Sequence, residues 1–269
     1  GEQEYLLDAT DPLRPLGLLP VAALAEVGWL VDKKTPRWIE VGSPESFNTH
    51  VTVSAKLAPN GTISGFLQAS AGGYNALFNR RTLQDKNEDE YIREDWLKNL
   101  AGVKLDSFRI GNKDSLHAPL GVRAFFSASE HAQATPAWVA GDKIYLNPIL
   151  WGRREENPFK QPERTFPVDF GYATQQSYTL NLTLPEGCAV LELPKNISLS
   201  LPNDGGQFRR LAQVEENHLQ LVSQVMIRKP RFAPEEYQAL REFYDRLVAL
   251  QAETIVLKYE AAASTAKKP

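Results

Sequence analysis

The chain has 269 residues and a formal net charge of −3 at pH 7, with 42% hydrophobic and 23% charged residues. These values are typical of a globular protein with enough core for one large domain or two small ones. The slight acidic excess lacks the basic footprint of nucleic-acid-binding proteins, and the single cysteine, Cys188, excludes a disulfide within the chain.

The first section, residues 1–44, combines short extended segments with a proline-rich stretch. We expect a strand at 6–9, then a crossing in which three prolines disfavour helix, and then two strands at 28–31 and 37–41 around a polar turn. Prolines and charged residues interrupt the most apolar stretch, 13–31, which is therefore too broken for a membrane span of about 20 apolar residues. The sequence predicts no transmembrane segment.

The second section, 45–163, begins with a strong hairpin signal. Apolar and polar residues alternate over 51–57, which is typical of a half-buried strand, and Asn60-Gly61 follows as a turn whose residues tolerate positive φ. Helices are expected near 74–84 and at 88–100, and in the second one Ile92, Trp96 and Leu100 recur on one face at spacings of four. Further strands are expected at 103–110, 120–129 and 143–147.

The third section, 164–260, is predicted to be almost entirely strand. Alternation over 172–184 and a long run at 219–228 indicate two of these strands. A proline opens the clearest helix, 234–250, whose first turn is acidic and whose apolar residues share one face. A last strand precedes the small, basic tail 261–269, which is expected to be disordered.

Together these elements predict an α+β, predominantly β fold. Many strands with closely spaced turns and few helices favour antiparallel sheets packed as a sandwich with two or three helices. The helix at 234–250 is expected to cover one face or edge of a sheet. We interpret 45–163 and 164–260 as two β-rich subdomains.

Short motifs follow one another along the chain in a distinctive order. Tyr5-Leu6-Leu7-Asp8-Ala9-Thr10-Asp11 is an apolar run that ends in Asp-Ala-Thr, and Pro15-Leu16-Gly17-Leu18-Leu19-Pro20 follows it. The later motifs are Gly73-Tyr74-Asn75-Ala76, Asn157-Pro158-Phe159, Arg164-Thr165-Phe166-Pro167-Val168-Asp169-Phe170, Leu184-Pro185-Glu186-Gly187 and Glu236-Tyr237 with Leu240-Arg241 and Phe243-Tyr244. In this order they resemble the C-terminal region of bacterial transglutaminase-like, papain-fold exported proteins, which carry a domain of unknown function after the core.

The resemblance implies a role for Asp8 and an origin for the first section. In that family the catalytic residues follow the order Cys, His, Asp, so Asp8 is the candidate third member of an incomplete triad whose Cys and His we expect upstream of this chain. Residues 1–44 are then the tail of the core and a linker. In such a triad the carboxylate orients the imidazole that activates the thiol. In the alternative interpretation, Asp8 caps the turn after a strand.

The resemblance also implies an exported, often periplasmic protein of a Gram-negative bacterium, and it supplies no substrate. The residues themselves point to no cofactor or metal, because none of the four histidines lies at metal-ligand spacing from another ligand type. These histidines are His50, His117, His131 and His218. Cys188 begins a strand pattern with no histidine near it in sequence, so we expect a buried, unreactive thiol.

The five tryptophans could be core residues or a platform for sugars or peptides. Burial is the expectation for most of them, whereas Trp138 and Trp151 lie beside turns or loops and are candidates for one exposed face.

We therefore expect a non-catalytic accessory region that packs on the missing N-terminal core of the same protein, or binds a partner such as a peptide or an envelope glycan. Two alternatives stay open. The chain contributes Asp8 to a Cys-His-Asp acyl-transfer or peptidase enzyme, or it is a stand-alone carbohydrate-binding or adhesion β-sandwich. Alone, the chain is not expected to be an enzyme.

Overall fold

The computed structural model describes residues 5–24, 26–42, 45–100, 102–128 and 136–259. The predicted disordered tail 261–269 lies outside these ranges. Within them the strands are β1 Glu26–Leu30, β2 Arg37–Val41, β3 Phe47–Leu57, β4 Ile63–Gly73, β5 Val103–Gly111, β6 Leu120–Ala128, β7 Ala137–Ala140, β8 Lys143–Leu146, β9 Val168–Asp169, β10 Thr174–Thr183, β11 Cys188–Glu192, β12 Ile197–Ser200, β13 Gly206–Glu215, β14 His218–Ile227, β15 Arg231–Phe232 and β16 Ile255–Tyr259.

The largest sheet has eight strands in the order β12-β13-β14-β10-β3-β4-β6-β5. Among the described strand pairs, only β3 and β10 run parallel; every other pair is antiparallel. A tight turn can join only antiparallel strands, whereas parallel strands need a long crossover connection. The chain between the end of β3 at Leu57 and the start of β10 at Thr174 is long enough for such a crossover. The predicted Asn60-Gly61 turn joins β3 to β4, and Gly61 has φ of 83°.

A second, four-stranded sheet packs on one face of the large sheet, in the order β11-β16-β8-β7. Val53, Leu67 and Leu180 from the large sheet share one core cluster with Ile144 and Leu257 from the small sheet, and all five are fully buried. The alternation that the sequence predicts therefore produces a buried inner face and an open outer face. The α+β, predominantly β sandwich is confirmed.

In the part of the chain that the structure describes, three α-helices complete the fold: α1 Tyr74–Asp85, α2 Glu88–Tyr91 and α3 Tyr237–Gln251. A π-helical turn, Ile92–Trp96, extends α2, so the predicted helix near 88–100 is shorter and wider than expected. Single 3₁₀ turns lie at Val21–Ala23, Pro202–Asp204 and Pro234–Glu236.

Helix α3 covers the inner face of the large sheet beyond the edge of the small one. Its buried residues recur every three or four positions, and Leu240 and Leu247 share a core cluster with Phe208 of β13 and Val225 of β14. The predicted helix at 234–250 and its covering role are confirmed.

The N-terminal segment differs from the expectation. The prediction of a strand at 6–9 is wrong, because residues 5–9 pair with no described strand. The subdomain division between 45–163 and 164–260 stays a prediction, and the large sheet contains strands from both sides of it. No helix among the described residues is long and apolar enough to cross a membrane.

Candidate functional site

Asp8 lies in a turn that its own side chain organises. The Asp8 Oδ1 atom accepts hydrogen bonds from the Thr10 backbone nitrogen at 3.1 Å and the Thr10 hydroxyl at 2.6 Å, and it pairs with the Arg14 guanidinium. The Thr10 hydroxyl, the Thr10 amide and the Arg14 charge lower the pKa of Asp8 below its usual value. This geometry is that of a turn cap, while the catalytic role of Asp8 stays a prediction.

Asp11 ties the same turn to helix α1. Its Oδ1 accepts from the Leu13 backbone nitrogen at 2.8 Å, and its Oδ2 accepts from Arg81 Nε at 2.8 Å. The Arg14 side chain lies against both carboxylates and is only 6% exposed. The segment around Asp8 is therefore anchored on the body through α1.

The other reactive residue types do not converge with Asp8. Cys188 is half-buried against the main core, and burial raises the pKa of its thiol, the direction expected for an unreactive cysteine. His50, His117 and His218 are exposed, and His131 lies outside the described residues. Within the described ranges, no three His, Cys, Asp or Glu side chains group as metal ligands.

The tryptophans are more exposed than expected. Trp29, Trp38 and Trp138 are 52%, 67% and 52% exposed, so the expectation that most tryptophans are buried is wrong. Trp138 stacks on Tyr145 with ring centroids 5.2 Å apart. Trp96 is buried, and the half-buried Trp151 stacks on it at the edge of a cavity of about 460 Å³.

The outer face of the eight-stranded sheet carries a row of amide side chains. Gln213, Gln220 and Asn181 lie directly opposite one another on β13, β14 and β10. Gln213 Nε2 donates to Gln220 Oε1 at 3.0 Å, and Gln220 Nε2 donates to Asn181 Oδ1 at 3.1 Å. We call these three residues the amide row. Because each amide orients the next, the row presents an ordered series of polar groups.

Aromatic side chains continue the amide row across the sheet. Ser54 of β3 lies opposite Asn181, Phe66 of β4 lies opposite Ser54, and Phe125 of β6 lies opposite Phe66. The Phe66 and Phe125 rings are 5.8 Å apart, and the Arg123 guanidinium lies 4.8 Å from the Phe66 centroid. Phe125 is 41% exposed, so apolar ring surface lies on the same face of the sheet, beyond Ser54 and Phe66.

A groove of about 740 Å³ runs along this part of the outer face. The amide row, Ser54 and Phe66 line it, and Lys56, Glu215 and His218 add charged or ionisable groups to its wall. The groove combines ordered hydrogen-bonding groups with an apolar surface, which is the composition of a ligand site.

His218 was considered from the sequence only as a metal ligand, and no residue of this groove was predicted to bind a ligand. Polar residues at alternate positions of β10 and β14 were a signal that these strands have an open face. The signal does not reveal which strands are neighbours, and the row exists only because β10 lies between β14 and β3.

Comparisons with known proteins bear on the C-terminal half of the chain. Residues 142–257 match the model of DUF3858, a domain of unknown function. The match confirms the expectation of a domain of unknown function in this part of the chain, whereas the resemblance to transglutaminase-like proteins stays a prediction. No curated protein matches the chain.

Two solved structures show distant likeness. One is a "putative protease" from Parabacteroides distasonis ATCC 8503, 17% identical over 36% of this chain and 19% of that chain, with a TM-score of 0.32. The other is the folded domain of Mycobacterium tuberculosis LppM, 12% identical over 69% of this chain and 92% of that chain, with a TM-score of 0.28. Neither likeness carries an argument about this chain.

Proposed function

We propose that this chain is a non-catalytic accessory region that binds a polysaccharide along the groove of its large sheet. The observation that carries the proposal is the amide row beside the Phe66–Phe125 pair. Side-chain amides both donate and accept hydrogen bonds, as sugar hydroxyl and acetamido groups require. Phe66 lines the groove, and one strand beyond it the exposed part of Phe125 offers an apolar surface on which the C–H face of a sugar ring packs.

The position of the groove favours a polysaccharide over a peptide. Extended peptides bind a sheet mainly by adding a strand to its edge, where backbone groups are unpaired. The amide row lies instead on side chains of β13, β14 and β10, each of which has a neighbour on both sides. A ligand there meets side chains only, which suits a polymer of hydroxyl-rich rings.

We further propose that the chain follows a transglutaminase-like core in an exported, periplasmic protein of a Gram-negative bacterium. The ordered motifs that begin at Asp8-Ala9-Thr10 support this placement. An accessory region that holds an envelope polymer would keep such a core close to its substrate. The alternative, in which Asp8 completes a Cys-His-Asp site, requires a reactive cysteine upstream, and thiol labelling of the full-length parent tests for it.

Affinity electrophoresis through gels that contain single soluble polysaccharides, neutral and acidic, tests the proposed function. We expect at least one polysaccharide to retard the wild-type chain. The double variant Asn181→Ala, Gln220→Ala should weaken that binding by about tenfold, because two hydrogen-bonding groups are lost. Phe125→Ala should weaken it as well.

The matched control is Gln238→Ala, which removes an exposed amide from helix α3 and should bind like the wild type. Thermal unfolding of each variant checks that the fold is intact. Retardation that is equal for the wild type and the groove variants, or absent with every polysaccharide, would contradict the proposal.

A further inference from the structure

The hairpin formed by β1 and β2 exposes an aromatic face. Among the described strands, β1 and β2 pair only with each other. Trp29 and Trp38 lie directly opposite one another, with ring centroids 5.3 Å apart at 70°. Val27, on the same face, is 56% exposed. Large apolar side chains grouped on an exposed surface indicate an interaction site.

The turn of this hairpin is basic and preorganised. Lys33, Lys34 and Arg37 are exposed within a few residues of the two tryptophans, and Val31 at the start of the turn is 87% exposed. Asp32 Oδ1 accepts from the backbone nitrogens of Lys34 at 2.7 Å and Thr35 at 2.8 Å. These hydrogen bonds hold the turn in one conformation, so little ordering is needed when it binds.

The charge of the turn opposes that of the whole chain. Positions 31–38 contain three basic residues and one acidic residue, whereas the chain carries a net charge of −3. Tryptophan side chains favour the interface between lipid and water, and lysine and arginine beside them are attracted to anionic headgroups. The aromatic pair, Val31 and the basic turn lie on this one hairpin, whose exposed acidic residue Glu40 is at the other end of the aromatic face, opposite Val27.

We propose that the β1–β2 hairpin binds the surface of a membrane that contains anionic phospholipid, with Val31 and the two tryptophans entering the headgroup region. The attachment is peripheral, because the exposed apolar part of the hairpin is far shorter than the span of about 20 residues that crosses a bilayer. This proposal is independent of the polysaccharide groove, since the two surfaces have no residue in common.

Co-sedimentation of the whole chain with vesicles tests the hairpin. We expect binding to equimolar phosphatidylglycerol and phosphatidylcholine, and little binding to phosphatidylcholine alone. Trp29→Ser with Trp38→Ser should lower the partition coefficient more than about tenfold, because the apolar contact is removed. The control Trp138→Ser removes a tryptophan that is equally exposed, at 52%, on another hairpin, and should bind like the wild type.

Charge variants give a second, separate readout. Each lysine near an anionic surface contributes about fivefold in binding, so Lys33→Gln with Lys34→Gln should weaken partitioning by roughly 25-fold. The matched control, Lys98→Gln with Lys104→Gln, removes the same charge at exposed positions elsewhere and should have a much smaller effect.

Three outcomes would overturn the proposal: no binding to the anionic vesicles at low salt, binding that the tryptophan pair does not affect, or equal losses for both lysine pairs. The last outcome would indicate that net charge alone controls adsorption. A thermal transition that shows an intact fold makes the absence of vesicle binding decisive against the membrane proposal.

Discussion

At the scale of single residues, the Asp8 carboxylate organises a turn, and the groups that it contacts there lower its pKa. Its Oδ1 atom accepts hydrogen bonds from the Thr10 hydroxyl and the Thr10 amide, and it forms an ion pair with the Arg14 guanidinium. Each of these donors favours the charged carboxylate, so the pKa of Asp8 in the folded protein lies below its unfolded value. The contribution of Asp8 to stability is therefore present above the unfolded pKa and disappears as pH falls through the folded pKa.

Replacement of Thr10 by Val should raise the pKa of Asp8 towards its ordinary value. The Thr10 hydroxyl is the largest cause of the lowering, and valine keeps the branched shape without the donor. A carboxyl-carbon NMR titration of the wild type and the variant measures the change. Asp32, whose pKa is lowered by hydrogen bonds from the backbone amides of Thr35 and Lys34, is the internal reference and should keep the same pKa in both proteins. Identical Asp8 midpoints would contradict the expected effect of the hydroxyl.

At the scale of elements, Arg80 of helix α1 holds the loop between β5 and β6. Its guanidinium is buried and donates to five backbone carbonyls of that loop, at 2.7 to 3.2 Å. These carbonyls belong to Asn112, Lys113, Ser115, Leu116 and Ala118. A backbone carbonyl that loses its hydrogen-bond donor away from water lowers the stability of the fold. The conformation of the loop therefore depends on the Arg80 side chain.

Arg80→Met should lower the free energy of unfolding by about 3 kcal/mol, because methionine keeps the apolar stem and leaves several carbonyls without their donor. Urea denaturation measures the change. The matched control is Arg81→Met, whose side chain is 43% exposed and pairs with Asp11; such a pair contributes about 0–1 kcal/mol. Equal losses for the two neighbouring arginines would show that the loop carbonyls do not need Arg80.

At the scale of the whole molecule, Tyr178 connects the two layers of the sandwich. It lies in β10 near the centre of the large sheet, and its hydroxyl donates to the Pro148 carbonyl at 3.0 Å. The same hydroxyl accepts from the Leu150 backbone nitrogen at 3.2 Å, in the segment that follows β8 of the small sheet. Burial raises the pKa of Tyr178 above its usual range, so the hydroxyl stays protonated and can donate.

Tyr178→Phe should lower the free energy of unfolding by about 1–3 kcal/mol, since two buried backbone groups lose their partner while the ring packing is unchanged. Tyr145→Phe, at a partly exposed position of the small sheet, is the control and should change stability by less than about 0.5 kcal/mol. Denaturant unfolding monitored by circular dichroism compares them. A Tyr178→Phe variant as stable as its control would refute the connecting role.

Local patterns were sufficient for much of the fold. Alternation identified β3 and β10, Asn60-Gly61 identified a turn, and apolar spacing identified α3, because each signal depends on neighbouring residues only. The expected strand at 6–9 failed for the converse reason. An apolar run becomes a strand only where another strand is available to pair with it, and no described strand lies beside these residues.

The sequence by itself determined the fold class, the turn chemistry and the amphipathic face of the last helix, since the periodicity of side chains records them directly. Only the tertiary structure decided that β10 lies parallel to β3, that three amides line up across β13, β14 and β10, and that Trp29 and Trp38 stay exposed. Strand neighbours and the covering of a face depend on contacts between distant parts of the chain. Both proposed binding surfaces arise from such contacts, and local sequence does not record them.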